Sequence, residues 1–227
     1  MDDSRGLSVS GADSESISAV EAFRQGLLAM EGGLDGIVEA ARRAPGCALL
    51  QIYATIFFLY AGTRSANEEA ASWLGAAEEA LQGVKGRERK LFDAVHSWLH
   101  DDLEAAMRRF EDITSEYPRD LVALKACEFL YYLTGQHYCG SRYRSQMERV
   151  IPHNQDEAEA LGMYAFSLDL SGDYEEARLQ ADKALSLRNV AHRRRHRPSP
   201  GPEREPRRSL RAKRIHRSKT IHHRAHG

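Results

Sequence analysis

Through the first 187 positions, apolar residues recur every three or four places, and no stretch alternates with period two long enough to predict a strand. The pattern predicts helices throughout. The motif S-A-V-E beginning at Ser18 reads as a capping box, and Val20, Phe23 and Leu27 follow at helical spacing. Gly32 and Gly33 end that helix, and Pro45 and Gly46 end a second over residues 34–44. Further helices are expected over residues 47–61, 65–82, 87–100, 102–116, 120–134, 139–151, 155–171 and 174–187. A second box, S-A-N-E, opens the one at Ser65. Ten helices joined by short turns make about five helical hairpins, an all-α body over residues 18–187. Residues 1–17 lack periodicity and are expected to be disordered.

Fixed offsets add to the pattern. Pro118 and Pro152 lie 34 positions apart. The segments DDLEAAMRRFEDITSEYPRD and SGDYEEARLQADKALSLRN share an acidic turn, a small residue (Ala106, Ala177) and a second helix. Small residues at Ala94, Ala106 and Ala177 let paired helices approach closely, and large ones such as Phe110 and Tyr131 fill the space between hairpins. Gly172 suits a left-handed turn. One hairpin cannot bury its apolar face alone, so neighbours are expected to stack.

This grammar resembles the tetratricopeptide repeat, whose unit has 34 residues. The matches are Gly172, Asp173, Tyr174, Ala177 and Ala184 in the last unit. They are Ala94, Ala106, Phe110, Ile113 and Pro118 in the unit starting near Arg87, and Leu124, Tyr131, Gly135 and Pro152 in the next. Two upstream hairpins fit more loosely, through Ala40, Pro45, Leu50, Ala54, Phe57, Ala70 and Ala77. The order of segments over residues 15–187, most strongly 87–187, is similar to the tetratricopeptide repeat protein 38 family. The resemblance implies a right-handed superhelix (a solenoid) of about five hairpins, with no established chemistry. The chain departs from that family at residue 188, where further repeats would follow.

In peptide-binding members of the wider repeat class, the first helix of each unit lines a groove. Carried over by position, this implies partner contacts at Phe92, Lys125, Phe129, Met163 and Phe166. Lys125 is the one basic residue among the groove positions, so the clamp that chaperone-binding members place on a C-terminal carboxylate is missing. The aromatic and apolar set suits an apolar or helical segment, or else packs internally.

Charge divides the chain into unlike parts. Residues 188–227 carry 14 Lys and Arg against two acids, a net of +12, whereas residues 1–187 sum to −13. The tail has few apolar side chains and is expected to be disordered. Three readings of it stay open. Runs such as RRRHR and RAKRIHRSK suit a nucleic-acid arm, though no aromatic interleaves as a stacking platform. His192 and His196, with His222, His223 and His226, suit a weak metal tract. The Arg, His, Pro and Ser bias, starting where the repeat pattern stops, suits an out-of-frame reading of a GC-rich message.

Chemistry is sparse. His96 and His100 stand four apart near Asp93, Asp101 and Asp102, but the sequence HSWLH lacks the glutamate of a zinc-protease helix. Surface or helix-end roles fit both histidines. Adjacent glutamates such as Glu68 and Glu69 fit solvated faces. No nucleotide-binding glycine loop or nucleophile elbow is present. Neither an enzyme, a metal nor a cofactor is expected. Cys47, Cys127 and Cys139 have no C-x-x-C spacing, and the first two read as buried hydrophobes. The apolar run over residues 47–62 is shorter than the roughly 20 residues that cross a bilayer. The acidic N-terminus has no signal pattern, which points to the cytoplasm. The expected function is a scaffold binding a protein or peptide. The alternative is a nucleic-acid-associated protein acting through the tail, if the tail is genuine. Self-association through an open final repeat is also expected.

Overall fold

The computed structural model describes residues 1–30, 32–135 and 139–195, with the backbone alone at Cys139 and residues 190–195. Among the described residues the protein is all-helical. Ten α-helices run in order: α1 (Ser14–Ala29), α2 (Gly36–Arg43), α3 (Ala48–Leu59), α4 (Arg64–Ala80), α5 (Arg87–Leu99), α6 (Leu103–Glu116), α7 (Leu121–Thr134), α8 (Arg144–Val150), α9 (Ala158–Leu170) and α10 (Tyr174–Arg195). A π-helical turn, Cys139–Tyr143, leads into α8, and a 3-10 turn, Ile151–His153, follows it.

Local chemistry sets the boundaries. Asp13, Thr63, Asp102 and Asp120 cap α1, α4, α6 and α7, each accepting a hydrogen bond from a first-turn amide. Both expected capping boxes are therefore displaced. Ser18 lies inside α1, where its hydroxyl donates to Ser14 O at 2.9 Å. At α4 the cap is Thr63, two residues before Ser65. Met30 closes α1 in the left-handed conformation, and Gly172 supplies a positive φ of 82° between α9 and α10.

Consecutive helices pack in pairs, α3 on α4, α5 on α6 and α9 on α10. The apolar run read as a core helix is α3, buried at every position from Ala48 to Ile56. Cys47 and Cys127 are fully buried, as expected for small hydrophobes. Helix α1 reaches beyond its neighbours. It packs on α2 and α3, and also on the distant α7 and α9. Phe23 of α1 stacks on Tyr53 of α3 with centroids 5.1 Å apart.

The amino-terminal segment corrects the sequence reading. Residues 1–17 are not a loose leader. The last four of them begin α1, and residues 1–13 lie on the body as a strap. Val9 is 1% exposed and Arg5 6% exposed. Aperiodicity was misleading here, because two anchored side chains and a tight turn suffice to order a short segment. At the other end, α10 runs to Arg195, so residues 188–195 continue a helix rather than starting a separate tail.

Candidate partner-binding clefts

Helices α7, α9 and α10, with the end of α1, enclose a cleft of about 460 Å³. Its lining is apolar and mostly small: Ala158, Gly162 and Ala165 beside Met163 from α9, Ala181 and Ala184 from α10. Phe166 and Leu185 rise from it, 39% and 58% exposed. The rim is charged. Lys125 Nζ sits 2.6 Å from Glu128 on α7, and Arg188 Nε lies 4.0 Å from Glu159 across α10 and α9. An apolar floor inside a polar rim is the usual anatomy of a recognition surface.

Gly162 stands out within this cleft. A glycine inside a helix costs about 1 kcal/mol relative to alanine. A methyl group added at Gly162 would meet open space, so no internal contact requires the glycine. Its backbone is bare toward the cleft, where another chain could approach closely.

Three of the five expected contact residues, Lys125, Met163 and Phe166, share this cleft. The other two do not line it. Phe92 is buried, 5% exposed, with the Arg89 guanidinium 5.2 Å above its ring. Phe129 stacks on Tyr60 at 4.3 Å and lies 5.7 Å from Trp98. That aromatic group joins α3, α5 and α7. Positional transfer selects the inner face of each helix but does not say which positions the neighbouring helix covers.

A second cleft, about 730 Å³, lies on the other side of the α1 C-terminus. Phe23, Leu27 and Met30 of α1, Phe57, Phe58 and Tyr60 of α3, and Glu68 and Glu69 of α4 line it. Nothing in the periodicity marked it, because it depends on where α1 crosses α3.

Sequence reasoning also missed a charged network at the starts of α5, α7 and α9. Arg87, the first residue of α5, donates to Asp120 Oδ2 at 2.8 Å and to Ser8 O at 2.9 Å. Asp120 Oδ1 meanwhile accepts from Ala123 N. Burial works against the Arg87 charge, and Asp120 outweighs it, holding the guanidinium above its ordinary value. Ser10 N donates to Glu88 at 2.8 Å. At α9, Arg5 and Arg24 both reach Glu157, at 3.4 and 3.2 Å. Burial pushes the Glu157 carboxyl up, against the pull of the two arginines. Residue spacing could not have revealed partners 149 to 152 positions apart. The one local signal was the turn-forming D-S-R-G near the start.

Other candidate chemistry is thin. The His96 and His100 rings stack at 4.2 Å, and His100 Nδ1 lies 2.8 Å from His96 O. Among the described residues, no group of three or more His, Cys, Asp or Glu side chains is placed to hold a metal ion. Burial raises the Cys127 thiol to about 12, so it is inert as a nucleophile near neutral pH. Among the described residues no helix is long and apolar enough to cross a membrane. The three readings of the basic tail fall, from residue 196 onward, outside the described residues. Compared with known proteins, no family model matches the sequence and no solved structure matches the chain.

Proposed function

We propose that the protein is a non-enzymatic helical-repeat scaffold. Its hairpins stack as a right-handed superhelix, and the cleft between α7, α9 and α10 takes an apolar or helical segment of a protein partner. The observation that carries this reading is the cleft itself. It joins Lys125, Met163 and Phe166 over a floor of small residues, with the bare backbone of Gly162 facing outward. A floor of that kind suits helix-in-groove recognition, in which one bulky anchor and close backbone approach supply most of the affinity. The larger cleft beside α1 has acids but no cation along its wall, and so offers a less varied rim. The buried, unpaired Cys47 and Cys127 support a reducing, cytoplasmic setting.

Affinity capture with the full chain tests the assignment. Proteins held by the wild type should be lost with Phe166→Glu and with Gly162→Leu, which fills the floor. They should survive Met30→Glu, which alters the larger cleft. If Met30→Glu removes them and Phe166→Glu does not, the partner uses the larger cleft and the assignment is wrong.

A further inference from the structure

The strap places one arginine in a prepared pocket. Asp3, Ser4, Arg5 and Gly6 form a tight turn, closed by Gly6 N donating to Asp3 O at 3.0 Å. The Asp3 carboxylate accepts from Arg5 N and Leu7 N, both at 2.9 Å, and so fixes the turn from inside. Gly6 has a φ of +74°, which glycine adopts without strain. Arg5 projects from the tip toward the start of α9. Its guanidinium meets Asp156 through two contacts, at 2.9 and 3.2 Å, and donates to Asn154 Oδ1 at 2.6 Å. Glu157 lies 3.4 Å away. Such a forked contact is specific for arginine over lysine.

The receiving side is held in place by bonds that owe nothing to the strap. Asn154 Nδ2 donates to Pro118 O at 2.7 Å and to Val150 O at 2.9 Å. Glu157 is tied to Arg24 of α1. The pocket therefore keeps its shape when the strap leaves. The strap is held by few side chains of its own, its backbone meeting Glu21, Arg87 and Glu88 of the body. Among residues 1–10, Val9 is the one fully buried apolar side chain. The carboxylate facing Arg5 belongs to Asp156, 63% exposed, so water and salt reach that contact. Arg5 Nε is buried without a hydrogen-bond partner among the described residues. An ion pair open to water on one side, with an unmet donor on the other, contributes little net stability.

From this geometry we infer that the start of α9 is a guanidinium-binding site for an extended peptide carrying arginine before glycine on a turn, and that residues 1–10 are its built-in, displaceable occupant. This site is distinct from the Phe166 cleft and does not depend on it. An outside peptide with the same turn competes with the strap for Asp156, Asn154 and Glu157.

The experiment uses the full chain and a ten-residue peptide, MDDSRGLSVS, labelled at its C-terminal end. Fluorescence anisotropy should show the peptide binding the Arg5→Ala chain at least tenfold more tightly than the wild-type chain. The same peptide with its own arginine replaced by alanine should bind at least tenfold more weakly. Raising sodium chloride from 50 to 500 mM should weaken the first interaction. Equal binding to the two chains, equal binding of the two peptides, or no binding to either chain overturns the inference. So does loss of the helical circular dichroism in Arg5→Ala, which would make the strap a folding element. Hydrogen exchange on the wild-type chain supplies an independent reading. The amides of Leu7, Val9 and Ser10 should exchange at least 100-fold faster than those of α3, and equal protection overturns the displaceable strap.

Discussion

The two ends of the described body invert what their sequences suggest. The amino-terminal strap is polar and aperiodic, yet Val9 and Arg5 are buried and its backbone is bonded to Glu21, Arg87 and Glu88. Helix α10 is regular through Arg195, yet Tyr174, Leu179 and Leu185 stand exposed along it. Its buried contribution comes from Ala177 and Gln180, which face α9. Periodicity reports the ability to form an element, whereas docking depends on partners elsewhere in the chain. The strap has partners at the starts of three helices. On α10 nothing among the described residues buries Leu179, and Leu185 stands largely open at the Phe166 cleft.

The sharpest way to break the contrast is at the strap's anchor on the body. Arg87→Ala leaves Asp120, with its side chain 1% exposed, without its cation. Breaking a buried pair from one side costs about 3–5 kcal/mol. Urea denaturation should show a loss of that order, and a loss below about 1 kcal/mol would mean that the pair is not anchoring α5 to α7. Val9 comes next. Val9→Ala removes two buried methyl groups and should cost about 1–2 kcal/mol. The matching change at the other end, Leu185→Ala, should fall within about 0.5 kcal/mol, because its side chain is largely in water. If the two changes cost the same, the ends are equally docked and the contrast is false. Leu179 and Leu185 carry a second expectation. Leu179→Glu with Leu185→Glu should shift any concentration-dependent oligomer toward monomer in sedimentation velocity. A wild-type chain that stays monomeric at high concentration would show that these leucines do not drive self-association.

Much of the helical order was legible in the sequence, for a physical reason. Core positions such as Leu50, Ala94, Ala106, Phe110 and Tyr131 follow from helical spacing and side-chain type, and each is buried. Caps were less legible. Ser18 and Ser65 matched a motif, but Asp13 and Thr63 already satisfied the first amides. The site was partly legible. Lys125, Met163 and Phe166 fell together because α1 packs on both α7 and α9, and residues of all three helices line one cleft. Phe92 and Phe129 fell elsewhere because Arg89, Tyr60 and Trp98 cover them. The Arg5 pocket was invisible, since its groups are brought together by the return of α9 to the start of the chain.

The smallest expected effect concerns acid, and its sign differs from group to group. The bonds from Arg5 hold the Asp156 carboxyl below its ordinary value of 3.8. Burial works to raise Glu21, but bonds from Ser4 and Arg24 outweigh it, so Glu21 also titrates below its ordinary 4.5. A lowered carboxyl contributes stability that is complete above the ordinary value and is lost as pH falls through the folded one. Asp3 and Glu157 run the other way. Burial raises both, so their contribution is present at low pH and fades as pH rises through their raised values. The strap is therefore held by two pairs of opposite sign, and its release as acid is added should be shallow rather than abrupt. Carboxyl-carbon NMR titration resolves the groups separately. Asp156 should have a midpoint below 3.8, and Arg5→Ala should move it upward, because the guanidinium is the first cause of its shift. An Asp156 midpoint that ignores Arg5→Ala would mean that the strap's arginine spends its time in water, and the amino-terminal end would then resemble the carboxyl-terminal one after all.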